Sequence, residues 1–232
     1  GITLQYEMCY TNILQILDLS GIPLRTKDRK KGDTLVIGGG PCSYNPEPIA
    51  DFFDIFYMGE GEVSYDELLE LYKVYKHSDM TRQEFLIKVS NIPGLYVPEL
   101  YEVTYHEDGT ISSFGPKFEG VPSTISKTVV MDHSKVTYPE KPVVSFMKLT
   151  QDRVVLEIMR GCIRGCRFCQ AGMIYRPTRP KDVDMLKGYA EKMLANTGHE
   201  EITFSSLSSS DYEELPELTD CLIEKMDNEH VN

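Results

Sequence analysis

Arg153-Val-Val-Leu-Glu-Ile-Met159 runs into Arg160-Gly161-Cys162-Ile163-Arg164-Gly165-Cys166-Arg167-Phe168-Cys169-Gln170-Ala171-Gly172. The first seven residues read as a buried strand, and the strand delivers a short loop that holds three of the chain's six cysteines in eight residues. The spacing is C-x3-C-x2-C, with an aromatic directly before the third cysteine. A loop this short brings three thiolates round one small object, and the glycines at either end let the backbone approach that object closely. The stretch is a metal or cluster loop.

Ligand number narrows the choice. Structural zinc takes four protein ligands, usually as two pairs, and no second Cys or His pair stands at finger-like spacing. Three clustered thiolates suit a 4Fe-4S cluster with one iron left without a protein ligand. Zinc completed by the distant Cys9, Cys42 or Cys221, or three cysteines without metal, remain as alternatives at this stage.

Composition bounds the rest. The 232 residues, 41% hydrophobic and 26% charged, suit one large or two small globular domains. No apolar stretch approaches a membrane span, and the start, Gly1-Ile2-Thr3-Leu4, is neither an initiator methionine nor a signal peptide. Free thiols grouped beside arginines also favour a reducing compartment, so the expected location is the cytoplasm. The net charge of −12 argues against a surface coated for nucleic acid. Between Arg153 and Lys181, however, seven basic residues (Arg153, Arg160, Arg164, Arg167, Arg176, Arg179, Lys181) face one acid, Glu157. This island surrounds the cysteine loop, where it would favour thiolates, an anionic cluster and a ligand bearing carboxylate or phosphate.

Upstream, Leu4-Gln5 reads as the end of a strand and Tyr10 to Leu19 as an amphipathic helix, stopped by Gly21 and Pro23. Thr34-Leu-Val-Ile37 and Asp54 to Met58 are short buried strands that open into Gly38-Gly-Gly-Pro41 and Gly59-Glu-Gly-Glu62. Capping boxes at Ser64-x-x-Glu67, Thr81-x-x-Glu84 and Asp211-x-x-Glu214 start three helices. Alternating strands and helices imply βαβ units with a parallel sheet and ligand-binding turns at the strand C-terminal ends. Glu107-Asp-Gly109 marks a hairpin between Leu100 to His106 and Thr110 to Phe114, and a proline-rich connector follows. Tyr96, Tyr101, Tyr105 and Tyr138 read as half-buried strand residues rather than a base-stacking platform. Asp182 caps a helix running to about Ala195, with Thr197-Gly198 as its stop. Glu201 to Phe204 is the next strand and opens into Ser205-Ser-Leu-Ser-Ser-Ser210. Arg153 and Glu157, four residues apart on one strand face, read as an interior pair, with a cofactor contact as the alternative.

The loop resembles the signature of the radical S-adenosylmethionine (radical SAM) superfamily, C-x3-C-x-aromatic-C, at Cys162, Cys166, Phe168 and Cys169. The resemblance implies that the three cysteines ligate a 4Fe-4S cluster whose open iron chelates the amino and carboxylate groups of S-adenosylmethionine. Reductive cleavage then yields a 5′-deoxyadenosyl radical that takes hydrogen from substrate. It implies as well a reductant of flavodoxin or ferredoxin type. Phe168 resembles the position beside the adenine. The serine run stands where the family has a G-G-E motif for the methionine amino group; Ser205, Ser206 and Ser208 offer hydroxyls there but no fixed negative charge.

Over the whole chain the likeness is to a bacterial group of uncharacterised radical SAM proteins. It rests on Gln5-Tyr6-Glu7, Tyr10-Thr11-Asn12, Gly39-Gly40-Pro41-Cys42, Asn45-Pro46-Glu47-Pro48, Gly59-Glu60-Gly61-Glu62, Tyr175-Arg176-Pro177 and Ser206 to Tyr212. Gln151 stands where relatives tend to have histidine. The implied division is 1–76, the C-terminal part of a Rossmann-like cobalamin-binding-like domain; 77–150, a helix and β-rich connector; and 151–232, the first βαβα units of a partial (β/α)6 barrel. Cobalamin is a possible but unsupported cofactor: none of the five histidines lies in a D-x-H-x-x-G loop, but that loop would sit in a first βα unit which the chain is expected to lack, so its absence decides little.

The expected function is therefore a radical SAM enzyme of unknown substrate. Methyl or methylthio transfer to RNA or protein is one alternative, and a non-enzymatic iron–sulfur carrier or sensor is another. With two of about six barrel units present, the chain is expected to be an internal fragment whose open sheet edges need a missing segment or partner chain. As such it would bind a cluster poorly and tend to associate.

Overall fold

The computed structural model describes residues 1–229, with side chains described to Lys225. The chain packs as two compact units that divide between Val130 and Met131.

The first unit carries a four-stranded sheet in the order β1 (Ile2–Thr3), β2 (Ile37–Gly39), β3 (Ile55–Tyr57), β4 (Leu95–Tyr96). β1, β2 and β3 run parallel and β4 antiparallel. Helix α1 (Tyr10–Leu19) spans the residues its periodicity predicts and buries Ile13 and Leu17. β2 starts three residues later than the apolar run Thr34 to Ile37 suggests. The Asp54 carboxylate accepts the Val36 N–H at 2.6 Å and so diverts it from the ladder, although the Val36 carbonyl still accepts the Asp54 and Ile55 N–H groups. The glycines replace it because the core presses on the strand: a Cβ on Gly38 would lie 3.0 Å from both Leu4 and the Phe53 ring.

Asp54 is the polar hub of this unit. Its side chain is fully buried and accepts from Arg29 Nη1 at 2.9 Å and Arg82 Nη2 at 2.7 Å. Arg29, itself buried, donates three further hydrogens to the carbonyls of Pro23, Leu24 and Phe52. Buried charges persist only when paired and hydrogen-bonded in this way.

The capping boxes divide. At α3 (Arg82–Ser90) Thr81 and Glu84 exchange both bonds. At α2 (Tyr65–Lys76) the helix forms but Ser64 does not cap it. Its buried hydroxyl donates to the Pro93 carbonyl at 2.8 Å and meets the Tyr57 hydroxyl at 2.7 Å, so tertiary partners outcompete the local one. The Gly59 to Glu62 turn is a clamp for residues 128–130. Glu60 Oε2 accepts the Val130 N–H at 2.7 Å, and a Cβ on Gly59 would lie 2.2 Å from the Thr128 carbonyl oxygen.

Residues 77–130 join this core rather than forming a separate connector. Phe85, Leu86 and Val89 of α3, together with Leu100, Tyr101 and Val121, are buried in the same cluster as Leu4, Phe53 and Leu68. The hairpin β5 (Tyr101–Tyr105) and β6 (Ile111–Pro116) forms as read. Of the four tyrosines, Tyr96 and Tyr101 are buried, Tyr138 is half-buried and Tyr105 is exposed.

The second unit is built on two parallel strands, β7 (Val154–Glu157) and β10 (Ile202–Ser205), paired Val154 to Ile202 through Glu157 to Ser205. Helix α5 (Val183–Thr197) makes the crossover, and α6 (Leu215–Glu229) follows β10. Val154, Leu156 and Ile158 pack with Leu186, Ala190, Met193 and Leu218. Asp182 caps α5 by accepting the Met185 N–H at 3.0 Å, and Gly198, at φ +71°, ends it. This βαβα order with parallel pairing agrees with the opening of a (β/α) barrel, and the whole chain is the mixed α/β protein expected. Residues 131–140 belong here: Lys181 Nζ donates to the carbonyls of His133 and Val136 at 3.2 and 2.6 Å, and Lys192 pairs with Glu140.

Asp54→Ala leaves the buried Arg29 guanidinium without its counter-ion and is expected to cost about 3–5 kcal/mol. Chemical denaturation of the variant measures this; a loss below about 1 kcal/mol would show that the network is not what holds the first unit.

Candidate functional site

The cysteine loop leaves the C-terminal end of β7 through β8 (Met159–Arg160), and the chain returns through β9 (Arg179–Pro180). β8 and β9 pair antiparallel, Arg160 opposite Arg179, and so close the base of the loop. Gly161 sits at φ +82° because a Cβ there would lie 2.6 Å from the Pro177 carbonyl oxygen. Between the stems, the Cys169 N–H donates to the Cys166 carbonyl at 3.0 Å, and α4 (Ala171–Ile174) begins directly after the third cysteine's neighbour.

All three cysteines are free thiols; Cys162 and Cys169 are half-buried and Cys166 is exposed. Cys162 Sγ accepts the Arg164 N–H at 3.5 Å, and Cys169 Sγ accepts the Gly172 N–H at 3.4 Å. Three sulfurs on one short loop are a soft donor set and suit an iron–sulfur centre. The three sulfurs are not drawn together as the spacing suggests. Among the described residues no group of three His, Cys, Asp or Glu side chains is gathered to hold a metal ion. Cys162 and Cys169 each accept a backbone N–H two or three residues further on, and Cys166 lies exposed between them.

The serine loop leaves β10 at the same end of the strand pair, its first residue, Ser205, in register with Glu157. Ser206 Oγ and Ser209 Oγ meet at 2.8 Å, and Ser208 Oγ donates to Asp211 Oδ2 at 2.7 Å. Ser205 is exposed, with no side-chain hydrogen bond among the described residues. Phe168, at 92% exposure, presents its whole ring.

Asp211 is the residue that sequence reading misplaces. It does not cap α6. Its carboxylate receives the Arg164 guanidinium in a fork, Nε to Oδ2 at 2.8 Å and Nη2 to Oδ1, and Arg164 lies between the first two cysteines. The bond from Arg164, then that from Ser208, hold the Asp211 carboxyl below its ordinary range. This bidentate pair ties the two loops together. Its only trace in the sequence is the Ser208-x-x-Asp211 turn, which reads equally as a cap.

The basic island is likewise mostly spent. Arg179 and Lys181 are buried. Arg179 donates to the Pro177 and Tyr175 carbonyls at 2.9 and 3.2 Å, and Lys181 lies over the Tyr138 ring at 4.3 Å. Arg153 bonds Thr203 Oγ1 at 3.3 Å and sits 3.7 Å from Glu201, not on Glu157 as expected. Four residues along a strand span about 13 Å, beyond the reach of a direct pair. Glu157 instead takes a fork from Arg160 at 3.0 and 3.1 Å, with His133 Nε2 at 3.6 Å and the Tyr138 hydroxyl at 3.4 Å from Oε2. His133 is buried, and neither ring nitrogen makes a hydrogen bond among the described residues. It stands 24 residues upstream of Glu157, and no spacing rule connects the two.

Burial alone would raise the Glu157 carboxyl; His133 and Arg160 outweigh it and hold the group down at about 2. A depressed carboxyl adds stability that is complete above its ordinary value of 4.5 and is lost as pH falls through about 2. Glu157→Gln should therefore flatten the decline in unfolding free energy between those values. Carboxyl NMR titration checks the premise directly, and a Glu157 midpoint near 4.5 would contradict it.

Comparison with known proteins agrees on both units. Residues 1–98 match the family model described as Radical SAM proteins, N-terminal, and residues 156–231 match that of the Radical SAM superfamily. The chain is 30% identical over 224 residues to an uncharacterised protein of Methanocaldococcus jannaschii, covering 95% of this chain and 40% of that protein. It thus spans less than half the length of that relative. Strand, three-cysteine loop, parallel partner and both family matches converge: the chain belongs to the radical SAM superfamily.

Proposed function

We propose that this chain is the portion of a radical SAM enzyme that holds a 4Fe-4S cluster through Cys162, Cys166 and Cys169 and binds S-adenosylmethionine between the cysteine and serine loops. Membership of the superfamily implies both the cluster and S-adenosylmethionine. The observation that carries the assignment to these residues is the Arg164–Asp211 fork, which fastens the two loops at one end of the β7–β10 pair. Ligands of α/β barrels gather at that end. When bound, the reduced cluster supplies the electron that cleaves S-adenosylmethionine to a hydrogen-abstracting radical; the chemistry belongs to the cofactor, and the protein supplies position.

Each residue then has a role. The Arg164 and Gly172 N–H groups donate to the sulfurs of Cys162 and Cys169 and fix their position in the loop. Phe168 offers a bare aromatic face for the adenine. Ser205 carries a hydroxyl with no side-chain hydrogen bond among the described residues, whereas Ser206 and Ser208 serve the loop's own structure. The electron comes from a flavodoxin- or ferredoxin-like donor. The local support for transfer of a methyl or methylthio group to RNA or protein is reduced, because Arg179 and Lys181 are buried and Arg160 and Arg164 are paired with Glu157 and Asp211. Cobalamin forms no part of the proposal. Among the described residues no helix is long and apolar enough to cross a membrane, which accords with a cytoplasmic enzyme.

Anaerobic reconstitution with iron and sulfide, reduction, and addition of S-adenosylmethionine tests the reading. Formation of 5′-deoxyadenosine, abolished in Cys166→Ala, is the expected result. A reduced-cluster spectrum indifferent to S-adenosylmethionine would sink it.

A further inference from the structure

The serine loop poses a question that its neighbour answers. A ligand's ammonium group placed against Ser205 meets a hydroxyl and no charge. The acid within the loop, Asp211, has a side chain only 7% exposed and is consumed by Arg164 and Ser208. Across the strand pair, Glu157 lies in register with Ser205, one inter-strand spacing of about 4.8 Å away. Alternation along β7 sends Val154 and Leu156 into the core with α5, and Glu157 takes the opposite face with the exposed Val155.

Glu157 is also held as a binding group would be. Its side chain remains 33% exposed although Arg160, Tyr138 and His133 approach it. Arg160 takes one lone pair from each oxygen, and the longer contacts of Tyr138 and His133 both fall on Oε2. A carboxylate oxygen has two lone pairs, so Oε1 keeps one without a partner. The carboxylate is ionised throughout the physiological range. Rotation is prevented by the Arg160 fork.

We infer that Glu157 is the acid that receives the α-ammonium group of bound S-adenosylmethionine, replacing from strand β7 the carboxylate that the serine loop lacks. This inference rests on the function proposed above. Arg160 orients the carboxylate through its fork, and His133 supports it from the buried side; both are positioning residues. Ser205 shares the ammonium from β10.

The test compares S-adenosylmethionine with its analogue lacking the α-amino group, by equilibrium binding to the anaerobically reconstituted chain, with iron content measured alongside. In the unsubstituted protein the amino group should strengthen binding. Glu157→Gln should reduce that preference roughly ten- to a hundred-fold, the range for hydrogen bonds to charged groups, at unchanged iron content. The amino group's bond to iron is common to both proteins and cancels in the ratio. An amino preference equal in the two proteins overturns the role of Glu157 while leaving the functional reading intact. A cluster that binds neither compound overturns the functional reading itself. Should Glu157→Gln fail to take up iron, Glu157→Asp keeps the charge but withdraws it by one methylene; a reduced amino preference supports the inference, and an unchanged one overturns it.

Discussion

The parallel pairing of β7 with β10 is the constraint on which the functional half of the molecule depends. Parallel neighbours end at the same side of a sheet, so the loops that follow them emerge together. The register Glu157 to Ser205 therefore sets the cysteine loop beside a serine loop that lies more than thirty residues further on. Helix α5 makes that pairing possible by spanning the crossover and burying Val154 and Leu156 beneath it. Its own ends are marked in the chain by Asp182 and Gly198.

Charge is arranged to reinforce this geometry rather than to advertise a surface. Arg164 crosses from one loop to the other, Arg160 steadies the end of β7, and Lys181 fastens residues 133–136 to the unit through two carbonyls and an aromatic face. Much of a stretch that reads as a positive island serves to brace the unit. The first unit follows the same economy, with Asp54 answering two arginines and a backbone N–H. Burial makes such groups costly when unpaired, and that cost is what makes them specify one arrangement.

Where sequence reading and structure part, long-range contacts outcompete local ones. Thr81 has its capping partner three residues away and uses it; Ser64 has the same spacing, but burial beside Tyr57 and Pro93 redirects its hydroxyl. Asp211 carries a capping pattern too, and a guanidinium from the cysteine loop claims it. Glu157 has a basic residue four positions back that it cannot reach and another three positions on, past the strand's end, that it can. The proline-rich stretch reads as a connector because its residues lack periodicity, yet its first part supplies Val121 to one core and its later part supplies Tyr138 to the other.

The amino-acid sequence by itself determined what depends on spacing and period: the three-cysteine loop, the strand that carries it, helices α1 and α5, the hairpin, and through these the superfamily. Those features are set within a few turns of chain, where steric preference and hydrophobic period dominate. The tertiary structure alone decided which charges meet across the fold: that Asp211 binds Arg164 and that His133 stands against Glu157. Such pairings join residues distant in sequence, and their energies depend on burial, which no local pattern records.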